Sequence, residues 1–549
     1  MSRLSPNPTR RDFVRMAGAM LLGSVLAEGS SAAGVADPDV CVYGATASGI
    51  MAAVAAAREG CNVLIVEPSR WLGGMTGGGL DRIDWGNEQA VGGTARTILE
   101  CKYDNPQYRA AFAALLRQYS IPVLFEHRIS SVQIEDSHIH SITLDLAPPD
   151  KRGCPVATPD KVAARRIRAG VFIDCTYEGD LMARAGVSHT FGRESRETYG
   201  ESLAGSEADN AVYGIDPFVK PGNPKSGLIP LLLDIKATPE GSADKLTMGY
   251  GFRWKLSRDA DRIPIEAPAN YDPFTYELYR RGFQNGVDMF RGRQVKYKLG
   301  NWQKAGGGFY SVGDCNLQRA LWAPTVFGSN AEYPDGDYAT RARIWGEQLD
   351  FMAGMTHFMR TDPSVTPKWR DDAMGFGFKP GVFDETGGWP HQLYVREARR
   401  MQSSYILTQK DLEGGTDPDD SIGLASYGVD EWPYAAYPLD GQVALNGGYL
   451  SEVRLDDVHG GIYKIPYRSI TPRKEECSNL LVPVCCSASH IAMTSLRMEP
   501  VWMILGESAG VAASMAAKQS LPVQKIDQRD LRGRLLALNQ RLDRPATPA

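Results

Sequence analysis

A short apolar run, Asp39-Val40-Cys41-Val42-Tyr43-Gly44, ends at a glycine-punctuated turn, Gly44-Ala45-Thr46-Ala47-Ser48-Gly49. An alanine-dense stretch follows, Ile50 to Glu59, and Gly60 closes it as a C-terminal cap would. A second apolar run, Asn62 to Val66, ends on Glu67. This is strand, turn, helix and strand in about 30 residues, the βαβ unit that receives a dinucleotide. It commits the chain to a parallel sheet in the α/β class, because parallel neighbours need a crossover helix between them. Each residue has a physical task. Gly44 permits the tight turn, and Gly49 lets the helix lie close to the strand. Thr46 and Ala47 stand where the helix N-terminus offers backbone N–H groups to a pyrophosphate. Glu67, 23 residues after Gly44, can accept from ribose hydroxyls and disfavours a 2′-phosphate. Thr46 occupies the place of the usual middle glycine.

Directly after Glu67 comes Trp71-Leu72-Gly73-Gly74-Met75-Thr76-Gly77-Gly78-Gly79. A glycine-rich segment here brings backbone amides near a second part of a long ligand, with Gly73, Gly74 and Met75 as the contact residues. That suits FAD better than a nicotinamide dinucleotide. Composition narrows the rest. The 549 residues carry 60 Lys+Arg and 65 Asp+Glu, a net charge of −5, with no basic block, which argues against nucleic acid as a partner. No apolar run reaches the roughly 18 residues of a membrane span. Residues 1–36 read as a twin-arginine export signal: Thr9-Arg10-Arg11-Asp12-Phe13-Val14, an apolar stretch from Met16 to Leu26, then small residues Ser30 to Gly34. The expectation is a periplasmic or secreted protein with no stable membrane span once the leader is removed. That route carries folded proteins, often with a cofactor already in place.

The run Val42-Tyr43-Gly44…Gly49, Glu67 and Gly73-Gly74-Met75 resembles bacterial secreted FAD-dependent oxidoreductases with a glutathione-reductase-like FAD domain, some of them labelled xanthan lyase. The resemblance returns at Val171-Phe172-Ile173-Asp174-Cys175-Thr176-Tyr177-Glu178-Gly179-Asp180-Leu181, at Gly387 to Arg400, and at Asn479 to Gly510. It implies a Rossmann-like FAD-binding domain, a parallel sheet with an antiparallel excursion, into which an α+β substrate or cap domain is inserted. The expected boundaries are the leader at 1–36, the FAD domain at 38–190 and 456–520, the substrate domain at 191–455, and a C-terminal tail at 521–549. Thr176 and Asp180 would close the cofactor site. The helix from about Glu499 to Ala517 would aim its N-terminus at the flavin pyrimidine, with Gly506 small enough to admit a cofactor or a neighbouring backbone. The stretch 93–122 is shorter than in such proteins.

Flavin oxidation of an alcohol or amine needs a base for the departing proton, and histidine suits neutral pH. Of 8 histidines, His490 and His391 are the candidates, with Arg497 near the first and Arg396, Glu397, Arg399 and Arg400 after the second. The arginine run could bind an anionic or polyhydroxylated substrate, or make internal salt bridges. Cys485-Cys486 reads as two buried thiols, since adjacent cysteines bridge only with strained geometry. No metal-ligand spacing emerges. The reading is an exported FAD-dependent oxidoreductase acting on a small polar molecule, a sugar or glycoside among the options, and passing electrons to a separate acceptor. Two alternatives stay open: a carbohydrate lyase or hydrolase with structural flavin, and a non-catalytic periplasmic binding protein. Tyr463, Tyr467 and Arg468 are expected to be exposed, and Arg166 to Asp174 to form one returning strand.

Overall fold

The computed structural model describes residues 37–545 except 81, 208–210, 288–320, 449, 451–452 and 457–458. The leader and Cys315 lie outside the described residues. Five parallel strands form the central sheet: β1 (Val40–Tyr43), β2 (Val63–Val66), β3 (Val123–Leu124), β4 (Val171–Asp174) and β5 (Leu480–Leu481). Their order is β5-β4-β1-β2-β3. Val40 faces Val63 on one side and Val171 on the other. Every residue of β1, β2 and β4 is buried, which is why these strands are continuous apolar runs rather than alternating ones.

The two faces meet different layers. Val40, Val42, Val63, Ile65, Val171 and Ile173 point into a core shared with the helices. Cys41, Tyr43, Leu64, Val66 and Phe172 point the other way, into a core with Ile129, Ile139, Ile142 and Leu144. Those last residues belong to an antiparallel three-stranded sheet, His127–Glu135, His138–Leu146 and Lys161–Ile167. The expected antiparallel excursion is therefore present and lies flat on the parallel sheet. The returning strand is two strands: Lys161–Ile167 completes the antiparallel sheet, and after 168–170 the chain enters β4 in the parallel one.

The helical layer rests on α1 (Ala47–Arg58) and, from the far end of the chain, α4 (Glu499–Gln519). Between them in sequence lie α2 (Tyr338–Thr361) and α3 (His490–Leu496). A methyl group on Gly506 would sit 2.1 Å from the Ser48 carbonyl oxygen, and one on Gly510 2.1 Å from that of Ala52. The i, i+4 spacing puts both glycines on one face of α4. Gly506 thus makes room for a neighbouring backbone and not for a ligand, which corrects its assignment to the cofactor site.

The remaining chain builds smaller units. Strands Ala211–Tyr213, Gln442–Asn446 and Ala435–Leu439 form one antiparallel sheet, and Ser421–Ala425 pairs with Tyr463–Pro466. Tyr463 and Tyr467 are buried, contrary to expectation; their hydroxyls bond Ser495 Oγ and the Val523 carbonyl, so the polar ends need no solvent. Arg468 is exposed and pairs with Asp420. Helix α2 buries Arg341, Leu349, Met352 and Thr356. Residues 521–545 carry a helix, Gln528–Ala537, with Leu531 and Leu535 in the core. Among the described residues no helix is long and apolar enough to cross a membrane.

The α1–α4 contact has a direct test. Gly510→Leu should lower stability by roughly 2 kcal/mol or more, because a backbone carbonyl cannot move aside as a side chain can. Gly533→Ala, where an added methyl meets nothing within 4 Å, should leave the thermal midpoint unchanged or raised. Equal midpoints for the two variants would contradict the packing described.

Candidate functional site: a cleft at the carboxyl ends of β1, β2 and β4

The floor is made by two turns pressed together. Gly44 has φ +100° and donates from its N–H to the Val66 carbonyl, 2.8 Å. A Cβ there would lie 3.0 Å from Thr176 Cγ2 and 3.1 Å from the Cys175 backbone. Thr46 caps α1: its hydroxyl accepts from Gly49 N, 3.2 Å, and donates to the Cys175 carbonyl, 2.8 Å. The missing middle glycine is thereby explained. A hydroxyl in its place ties the turn after β1 to the turn after β4 and caps the helix. Gly49 is obligatory on steric grounds, since a Cβ would lie 1.9 Å from the Gly44 carbonyl oxygen. Ala47 and Gly49 are buried within α1 beneath this floor. In the second turn, Asp174 accepts from Thr176 N, Thr176 Oγ1 and Met182 N, and burial pushes its carboxyl up to about 6.

Above the floor lies a cleft with roughly 930 Å³ of empty space, its open mouth included. It is lined by Gly44, Thr46, Glu67, Gly74, Thr176 and Asp180 from the segments after β1, β2 and β4, and by Tyr333, Tyr338, Arg341, Trp345, His391 and Gln392 from later in the chain. Glu67 ends β2 with its carboxylate accepting from Ala45 N at 2.5 Å and Ser69 N at 2.8 Å. Burial raises its pKa, and those bonds counter the rise. Trp71, absent from the expected set, stacks on the His391 ring at 4.2 Å and 17°. Gly73 (φ +93°) lies against Phe112, and Gly74 (φ +51°) against Tyr177. The Met75 side chain is buried, while its N–H donates to the Tyr177 hydroxyl, 2.9 Å.

Asp180 anchors the later segments. It takes Arg341 from α2 at 2.7 and 2.8 Å and Arg399 at 2.9 Å. Burial alone would raise this carboxyl; the two guanidiniums overcome that and hold it below the usual range. Beside it Glu178, paired with the Tyr333 hydroxyl, is pushed by burial up to about 7.

The two histidines part company. His391 reaches the cleft, 3.1 Å from Glu385. Burial pulls its pKa down to about 4, so the ring is neutral at pH 7. His490 does not line the cleft. It opens α3 and is fully buried, with Nδ1 2.8 Å from Glu397 and Nε2 2.7 Å from the Tyr434 hydroxyl, which in turn donates to Glu431. Its backbone N–H meets Glu194. Burial alone would lower its pKa, but Glu397 and Glu431 outweigh it and lift the value to about 9, so the ring is a fixed cation and not a base. The carboxylates come from distant segments, which no local pattern reveals. Arg497 also lies outside the cleft lining, bonded to Tyr394 and Asp430.

Glu499, first residue of α4, was not expected as a site residue. Its carboxyl accepts from Thr76 Oγ1 (2.6 Å) and the Tyr177 hydroxyl (2.7 Å), joining the glycine-rich segment, the turn after β4 and α4. Burial, only partly offset by these bonds, raises it to about 7.

Compared with known proteins, residues 39–535 match the family model "FAD dependent oxidoreductase", and the chain belongs to that family. FAD is the cofactor. No curated protein matches. Among solved structures, the T. acidophilum thioredoxin reductase is 20% identical over 30% of this chain and 40% of that one, with a TM-score of 0.18. L-proline dehydrogenase from P. horikoshii is 16% identical over 29% and 58%, with a TM-score of 0.20. The chain spans about two fifths of the length of the first of these, and likenesses at such scores carry no further argument. The cleft fits the cofactor: Glu67 would present a carboxylate to ribose hydroxyls, and Gly44 and Thr46 would bring the start of α1 to a pyrophosphate, with Trp71, Gly74 and His391 also in the lining.

Two titrations check this account. His490 has a folded pKa above its ordinary 6.5, so its stabilisation is complete below about pH 6.5 and lost as pH climbs to about 9. The thermal-midpoint advantage of wild type over His490→Gln should shrink across that window. Glu499 behaves in the same direction at lower pH, because its proton too is held in the fold and released on unfolding. Wild type should lose stability relative to Glu499→Gln as pH rises from 4.5 to about 7, by roughly 2 kcal/mol. A pH-independent difference in either pair would refute the assigned environment.

Proposed function

We propose that this protein is an exported enzyme that oxidises a small polar molecule by hydride transfer to FAD and hands the electrons to a separate acceptor. The observation that carries the reading is the single cleft shared by the dinucleotide turn, Glu67 and the wall of Trp71, His391 and Gln392. Bound flavin supplies the hydride acceptor. The chain binds it at the ends of β1 and β2, walls it from water with residues that enter between β4 and β5, and holds a titrating carboxyl, Glu178, in the lining. Proton exchange at neutral pH falls to that carboxyl rather than to His391, a weak base at about 4, or His490, which is distant. Export is supported by the Arg10-Arg11 pair, the apolar stretch to Leu26 and the small residues that follow. The division into a FAD-binding part, 38–190 with 456–520, and a substrate part, 191–455, is supported by β5 and α4 returning to the parallel sheet.

The test is the visible spectrum of the purified chain before and after acid precipitation, followed by anaerobic addition of alcohols, amines and sugars. Flavin bands, colour released to the supernatant and bleaching by one substrate class are the expected results. A colourless protein that FAD cannot reconstitute would overturn the reading.

A further inference from the structure

Three buried arginines converge on Tyr394 and Trp432. Arg396, Arg497 and Arg253 are 2%, 2% and 6% exposed. The Arg396 guanidinium lies 3.6 Å from the centre of the Trp432 ring and 4.1 Å from that of Tyr394, and Arg253 covers the Tyr394 ring at 5.1 Å. Arg497 donates to the Tyr394 hydroxyl (3.2 Å) and the Asp430 carbonyl (2.9 Å), with Asp430 Oδ2 at 3.4 Å. Arg396 spends Nε on the Gly249 carbonyl, 2.8 Å. Its Nη1 and the Nε of Arg497 are buried and have no hydrogen-bond partner among the described residues.

Asp430 acts on both Arg396 and Arg497, and Glu397 acts on Arg497 as well. Burial, with Arg253 and Arg497 close by, drives the Arg396 pKa well down. Arg497 is paired with Asp430, while Arg396 meets no carboxylate at ion-pair distance among the described residues; an unneutralised cation removed from water is costly, and an anion recovers that cost through charge-assisted bonds to the open N–H groups. Arg193 and Arg400 also keep a buried Nη1 without a hydrogen-bond partner, but each has a carboxylate at ion-pair distance, whereas Arg396 has none among the described residues.

The position suits a substrate. Tyr394 is half-buried over the cluster, and Gln392, two residues earlier, lines the FAD cleft. Ser426 to Gly428, two residues before Asp430, wall a second, open groove with roughly 2040 Å³ of empty space, its open mouth included. Short chain segments therefore link the cluster to both spaces. We propose that Arg396 and Arg497 form an anion subsite that grips the carboxylate of the substrate, so that the molecule oxidised is a small carboxylic acid bearing an alcohol or amine, a sugar acid being one such compound. Guanidinium planes match carboxylates with two parallel bonds, which a neutral sugar cannot make. This rests on the oxidoreductase reading above.

The experiment titrates the full, flavin-loaded chain with acetate, glycolate and glucuronate against ethanol, ethylene glycol and glucose, following both the flavin absorption and the thermal midpoint. Carboxylates should bind saturably, about tenfold or more tighter than their neutral partners, and Arg396→Gln should remove that preference. The wild-type comparison stands even if the variant folds poorly, and Arg497→Lys, which keeps charge but not the planar fork, should weaken carboxylates more than neutral partners. Equal binding of acids and neutral partners, or no saturation by any acid, overturns the proposal. So does an Arg396→Gln chain with unchanged acid binding but a shifted flavin potential, which would assign the cluster to the flavin. Absence of flavin from the chain would instead sink the oxidoreductase reading, and the thermal-midpoint series would still report on the subsite.

Discussion

The backbone contact between α1 and α4 is the constraint on which the rest of the molecule depends. Two helices more than 400 residues apart in sequence approach until the carbonyls of Ser48 and Ala52 occupy the space where side chains at 506 and 510 would be. That approach covers one face of the parallel sheet. It also places α4 so that its first residue, Glu499, reaches the glycine-rich segment and the turn after β4. Glu507 extends the closure, accepting from Thr94 and Gln540 and lying near Arg58. Everything between β4 and β5 must leave this frame and return to it, so the elements opposite the dinucleotide turn are held by both ends of the frame.

Charge is then balanced group by group. Asp180 meets two arginines, and the group is closed. His490 meets Glu194, Glu397 and Glu431, with Arg400 among them bonding Glu194 at 2.5 Å and lying 3.7 Å from Glu397. That group is balanced in charge, although Arg400 Nη1 has no hydrogen-bond partner among the described residues, and it joins α3 to segments near 194, 397 and 431. Both are buried in a low dielectric, where an unmatched partner is expensive. Arg396, beside the Arg497–Asp430 pair, has no carboxylate at ion-pair distance among the described residues, and that imbalance is what the proposed anion would complete.

Much of the site was legible because it is local. Gly44, Thr46 and Glu67 follow strand ends, and a strand end aims its next residues at one edge of the sheet whatever the distant chain does. Gly74, Thr176 and Asp180 reach the cleft for the same reason. What misled was inference about single side chains. A histidine after a buried strand looks like a base until three carboxylates from 59 to 296 residues away surround it. A glycine on a long helix looks like room for a cofactor until a second helix fills it. Tyr463 and Tyr467 read as exposed because their partners, Ser495 and Val523, come from later elements.

The sequence by itself determined the parallel βαβ core, the dinucleotide turn with its acidic terminus, and the family. These follow from period, glycine placement and spacing within about 30 residues, which propensity and sterics govern directly. Only the tertiary structure decided the protonation of His391, His490 and Glu499, the pairing of Asp180, and the convergence of Arg253, Arg396 and Arg497. Protonation and charge balance depend on desolvation and on neighbours within a few ångströms, and those neighbours are brought together from across the chain by packing.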